Sequence, residues 1–204
     1  MLSLGAMQGA LAGLYALDVE ARVEDHLGTL DPADPEAHRG EVLLVRHDPH
    51  EDVAELALLL DPATREALGR GALSWSQWLR CLEGVSHFVM VCWRVDRARP
   101  VSELELELQA EVDKFVVSVL LLSRPSGELA GSARRVWEGL FAAPRFYDEA
   151  NTLRGQRYRA ASRAAARYTR AIGRRYLRRP RIGALLTELR AYYRASLEDK
   201  LRAA

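Results

Sequence analysis

SWSQWLRCLEGVSHFVMVCWRVDR at residues 74–97 and SELELELQAEVDKFVVSVLLL at residues 102–122 decide the fold of this chain. Each opens on a serine followed three residues later by Gln or Glu. That spacing, Ser74-Trp75-Ser76-Gln77 and Ser102-Glu103-Leu104-Glu105, is the capping-box signature of a helix start. Pieces of both runs resemble strands by composition or alternation, namely Phe88 to Val95, Glu103 to Leu108 and Phe115 to Leu122. The caps and the uninterrupted length favour two long helices, near 75–97 and 103–122. The connector Arg97-Ala98-Arg99-Pro100 is short enough to make them antiparallel neighbours.

Towards the N-terminus, Asp61-Pro62 supplies an N-cap with proline at the first helical position, so a short helix is predicted to about Gly69. Glu41 to Arg46 and Val53 to Leu60 read as strands, and His47-Asp48-Pro49-His50-Glu51-Asp52 between them has turn chemistry, which predicts a β-hairpin. Leu30-Asp31-Pro32-Ala33-Asp34-Pro35 is a loop, because each residue before a proline is pushed away from helix. The first 17 residues carry no charged side chain. A secretory signal would have a basic start, which Met1-Leu2-Ser3-Leu4 lacks, and Gly5, Gly9 and Gly13 interrupt the apolar run; a buried N-terminal helix is the expectation. No stretch offers about 18 uncharged apolar residues, so no membrane span is expected.

Towards the C-terminus, Pro125-Ser126-Gly127 breaks the chain and a helix carrying Trp137, Leu140 and Phe141 follows, ended by Pro144. A long helix is predicted from about Asp148 to Arg178, and after Pro180 a last one over roughly 181–202. The predicted fold is α+β and predominantly helical. Residues 1–70 form a small N-terminal α/β unit with a β-hairpin, and 71–204 a bundle of about five helices with Arg-rich C-terminal members, together one compact fold.

Composition is that of an ordinary globular protein, 49% apolar and 28% charged. On one helix Cys81 and Cys92 would stand about 16 Å apart, beyond the ~7 Å that a disulfide spans, so reduced thiols and a cytoplasmic location are the default. Charge is strongly polarised. Residues 151–204 hold 15 basic and three acidic side chains, net +12, whereas residues 1–150 hold 14 basic and 25 acidic, net −11. Lys114 and Lys200 are the only lysines beside 27 arginines. That bias matches GC-rich coding and weakens any argument from arginine abundance alone.

Arrangement says more than abundance. At 100° per residue, Tyr158, Ala161, Ala165, Tyr168, Ile172 and Tyr176 share one face of the long helix. Arg159, Arg163, Arg167, Arg170, Arg174 and Arg178 line the far side at one-turn intervals. Such a stripe suits a polyanion, since phosphate contacts dominate nucleic-acid affinity, or an acidic protein partner, or an anionic membrane surface. It also suits solvent, or the chain's own acidic segment, where Glu103, Glu105, Glu107, Glu111 and Asp113 form a run. The absence of helix-turn-helix, zinc-finger or RNP signatures lowers the nucleic-acid reading.

The best candidate for chemistry is Glu83, His87 and Glu111. Glu83 and His87 are one turn apart, and Glu111 is as far beyond the turn near Arg99 as His87 is before it. Glu111 also falls in an apolar stripe with Leu104, Leu108, Phe115 and Leu122, where a carboxylate needs a partner, with His87 first and Lys114 or Arg80 as substitutes. Such a trio could serve acid/base catalysis or hold a metal. A structural polar stripe through Ser76, Arg80, Glu83, His87 and Arg94 is the plainer reading, and the Glu-x-x-His spacing of di-metal bundles is missing. His47 and His50 flank the hairpin tip, where a solvated turn outweighs adventitious metal binding. No Cys-x-x-Cys, phosphate loop, nucleophile elbow or His-Glu-x-x-His is present. The 75–97 helix, apolar almost all round with Trp75, Trp78 and Trp93, is expected to be central, with a homo-oligomer or partner surface as the alternative. The resulting expectation is a non-catalytic interaction or regulatory module with no cofactor or metal, contacting an acidic protein partner through its Arg-rich helical face. A nucleic-acid-binding protein using the same arginines is the second reading, and an enzyme or metal site at Glu83, His87 and Glu111 the third.

Overall fold

A computed structural model describes residues 3–48, 53–124 and 127–204. The predicted hairpin tip at 49–52, the Pro125-Ser126 step and Met1-Leu2 lie outside the described residues. Eight α-helices and a three-stranded sheet are present among those described, so the fold is α+β and predominantly helical. The elements are α1 Leu4–Tyr15, β1 Leu27–Thr29, β2 Glu41–Asp48, β3 Val53–Leu60, α2 Pro62–Gly69, α3 Trp75–Val95, α4 Glu103–Ser123, α5 Leu129–Phe141, α6 Leu153–Ile172, α7 Ile182–Arg194 and α8 Leu197–Ala203. Both runs that could pass for strand are helix. The chain divides into two compact units, one of residues 1–12 and 18–100, the other of residues 13–17 and 101–204.

In the first unit the strand order is β1-β3-β2, with β1 parallel and β2 antiparallel to β3. The β2–β3 pairing runs from Glu41 opposite Leu60 to Asp48 opposite Val53. Leu58 and Leu60 are fully buried, two residues apart and therefore on one face of the strand. Helix α3 packs on this sheet. Gly84 permits the approach, because a Cβ there would meet Leu58 Cδ1 at 2.5 Å and Glu41 Oε2 at 2.8 Å. Asp61 caps α2 by accepting from Thr64 N–H at 2.9 Å, and its other oxygen pairs with Arg80 at 3.1 Å. Gly40 lies beside that pair at φ +80°, where a side chain would be strained and would collide with Arg80. The capping box at Ser74 forms in both directions with Gln77.

In the second unit α4 packs against α5 and α6. Ala161, Ala164 and Ala165 are buried on α6, and their small side chains let the helices come close. Tyr168 stacks on Tyr192 of α7 at 3.8 Å between centroids, and Tyr15 stacks on Tyr193 at 4.3 Å. Burial holds all three phenols Tyr15, Tyr168 and Tyr192 well above the usual tyrosine range. Two arginines of α7 cap the C-terminal end of α1. Arg190 Nε donates to the Leu14 carbonyl at 3.1 Å and Arg194 Nη2 to that of Ala16 at 2.9 Å, satisfying acceptors that a helix end otherwise leaves to water.

Two helix boundaries and one cap differ from the sequence expectation. The helix predicted from Asp148 starts at Leu153, where Thr152 accepts from Gly155 N–H at 2.9 Å. The helix predicted over 181–202 is two, because Ala195 is extended and Ser196 caps α8 by accepting from Asp199 N–H. At Ser102 only half of the capping box forms. Its hydroxyl accepts from Glu105 N–H, but the Glu105 carboxylate goes to Lys200 instead.

Candidate functional site

The arginine stripe lies on α6 and on the π-turn that continues it, Gly173–Leu177. Its opposite face is buried through Ala161, Ala165, Tyr168 and Ile172, and that burial fixes which way the arginines point. Arg163, Arg167, Arg170, Arg174 and Arg178 are exposed, and among the described residues none of them pairs with a carboxylate. Arg159 differs from its neighbours. Its Nη1 donates to the Asp148 and Gly155 carbonyls at 3.0 and 2.9 Å, and its guanidinium lies over the Phe146 ring at 4.5 Å. Arg159 therefore fixes the segment that leads into α6, and the free row has five members.

The acidic run of α4 is occupied elsewhere. Glu103 pairs with Arg157, on another face of α6, and Glu111 pairs with Lys114 at 2.5 Å. Glu105 receives the ammonium of Lys200 at 2.9 Å, and that lysine is 0% exposed. Lys200 also donates to Gln109, whose amide donates to Tyr15 and to Asp113, while the Tyr15 hydroxyl donates to the same Asp113 oxygen. The result is a buried polar network in which donors and acceptors satisfy one another.

Where α5 meets the end of α6, the row borders a cleft of about 320 Å³. Phe115, Ala130 and Ala133 provide an apolar floor, and Arg134, Glu138, Arg170, Arg174 and Arg178 line its walls, with Glu138 held by Arg134 at 2.9 Å. Trp137 sets one side. Its indole N–H donates to the Ala166 carbonyl at 3.0 Å, and Arg170 covers its ring at 4.9 Å. Arginines four residues apart drift by about 40° on an α-helix. The wider π-turn, closed by Arg178 N–H donating to Gly173 O at 3.2 Å, reduces that drift and keeps Arg174 and Arg178 beside Arg170. Neither the cleft nor the π-turn has a local sequence signal. Phe115, Trp137, Arg170, Arg174 and Arg178 stand out in the sequence singly, with nothing there to bring them to one cleft.

The other candidates fall as follows. Glu83 and His87 belong to the first unit, Glu83 half-buried and His87 buried, and Glu111 belongs to the second, paired with Lys114. His50 and the side chain of His47 lie outside the described residues. Cys81 and Cys92 are buried free thiols, and burial pushes both up from 9.0 to about 12, which keeps them protonated and unreactive near neutral pH. No helix among the described residues is long and apolar enough to cross a membrane. No protein-family model, curated protein or solved structure matches the chain.

Proposed function

We propose that this protein is a non-catalytic, cytoplasmic interaction module that binds an acidic protein partner through Arg163, Arg167, Arg170, Arg174 and Arg178. The observation that carries the reading is the uncompensated state of the row. Its four successive pairs sit three or four residues apart, and like charges at that spacing each cost a helix about 0.2–0.5 kcal/mol. Among the described residues no carboxylate offsets that cost, so the row repels itself until an anion arrives. The acidic run of the same unit is not that anion, since Glu103, Glu105, Glu111 and Asp113 bond to other groups. A protein partner is favoured over nucleic acid by the aromatic side chains. Tyr168, Tyr176, Tyr192 and Tyr193 are buried and Trp137 is covered by Arg170, which leaves these rings unavailable for stacking bases.

The test is fluorescence anisotropy with a labelled polyglutamate peptide and, separately, duplex DNA and single-stranded RNA at ~50 mM salt, where phosphate contacts are strongest. Polyglutamate should bind the wild type, weaken as salt rises, and fail to bind an Arg163/Arg167/Arg170→Glu triple variant that melts like the parent. Tighter binding of either nucleic acid than of polyglutamate would move the assignment to the second reading. No binding of any of the three would end the proposal.

A further inference from the structure

We infer that the cleft between α5 and the end of α6 is an anchor pocket, and that it selects an acidic segment carrying one aromatic side chain. The inference rests on the proposed acidic-partner function and adds what the partner must contain. A row of arginines needs no pocket to attract carboxylates, yet this one ends at a concavity whose floor is apolar. A volume of about 320 Å³ is at the small end of ligand sites and gives room for one large side chain. The walls decide which side chain. Arg170 already lies over one aromatic ring, that of Trp137. Arg174 and Arg178 border the same cleft, and among the described residues neither has a ring or carboxylate partner, while the lining carboxylate Glu138 is neutralised by Arg134. A ring seated on Phe115, Ala130 and Ala133 would offer its electron-rich face to those guanidiniums. An aliphatic side chain would gain only the floor. Carboxylates flanking the ring would fall along the row, towards Arg167 and Arg163. The edge of the Trp137 indole is already bonded to Ala166, and the Thr169 hydroxyl donates to the Ala165 carbonyl at 2.7 Å, so these two groups leave recognition to the floor and the guanidiniums.

Gly173 gives access to a clean test. It lines the cleft, has ordinary helical angles (φ −58°, ψ −46°), and a Cβ there would meet nothing within 4 Å. Gly173→Leu therefore fills the cleft while leaving all five arginines in place. Ala130→Leu does the same from α5, at an exposed position. Three labelled peptides are compared by anisotropy on the full chain: a Glu-rich 12-mer, the same with a central Phe, and the same with a central Leu. Burying a phenyl ring should tighten binding about tenfold or more, with Phe above Leu and Leu above the plain peptide. Gly173→Leu and Ala130→Leu should reduce the Phe peptide to the affinity of the plain one and leave the plain one unchanged, both variants melting at or above the parent temperature. Equal affinity for all three peptides, or a Phe advantage that survives both variants, overturns the anchor pocket and leaves the acidic-partner reading standing. Leu binding as tightly as Phe overturns the aromatic selection. Failure of every peptide to bind the wild type overturns both readings together.

Discussion

Helices α4 and α6 carry opposite charge runs in one unit, and the fold treats them in opposite ways. On α4, Glu105 and Asp113 are 4% and 1% exposed and hydrogen-bonded on the inside. On α6 and the turn that continues it, five arginines at one-turn spacing stay in water with no carboxylate partner among the described residues. On a helical wheel the arginines make one stripe, whereas the carboxylates at 103, 105, 107, 111 and 113 spread round the helix. The helices also sit differently: α4 packs against both α5 and α6, whereas α6 buries one face and leaves its arginine face outward. A charge inside must be paired, since removing it from water is costly. A charge outside is tolerated unpaired at small cost, and stays available to another molecule.

That contrast can be broken most sharply from the buried side. Lys200→Ala strands Glu105 inside the protein, and unfolding in urea should show a loss of about 3–5 kcal/mol, the usual effect of removing one partner of a buried ion pair. Replacing both, as Glu105→Leu with Lys200→Met, should recover most of that loss. If Lys200→Ala costs under about 1 kcal/mol, a range typical of exposed pairs, the network is wetter than its geometry says and the contrast fails.

The next effect lies within the arginines themselves. Arg159→Ala removes two hydrogen bonds from a charged donor and a ring contact, so a loss of about 1–2 kcal/mol is expected by thermal or urea unfolding. Arg167→Ala, two turns along, should stay within about 0.5 kcal/mol of the parent. Equal losses at the two positions would show that Arg159 belongs with the row after all. The smallest effect has the opposite sign. Arg167→Gln relieves repulsion with Arg163 and Arg170, so stability should rise by a few tenths of a kcal/mol while polyglutamate affinity falls. A destabilised Arg167→Gln variant would mean that the arginine has an intramolecular task.

How much of this was legible follows from the range of the forces. Asp61-Pro62 and Ser74 to Gln77 name their helix starts because a cap bonds to residues two or three away. The β2–β3 hairpin was legible from two apolar runs separated by turn residues. Strand β1 was not, since Leu27–Thr29 is three residues long and is strand only through its parallel pairing with Leu58–Leu60. Ser102 to Glu105 shows the limit in one motif: the local half of the box forms, while the Glu105 side chain is taken by a lysine 95 residues away. Lys200 looks like any surface lysine in Leu197-Glu198-Asp199-Lys200, and nothing nearby marks it for burial. The cleft was invisible for the same reason, because Phe115, Trp137 and Gly173 come from three helices.

The sequence by itself determined the helical class, the hairpin, most helix starts and the one-turn spacing of the arginines, all set by contacts a few residues long. Only the tertiary structure decided that the acidic run is spent internally, that Arg159 leaves the row, and that the remaining five arginines face water beside an apolar cleft. Those outcomes depend on which faces are removed from water, and burial is settled by packing between elements distant in the chain.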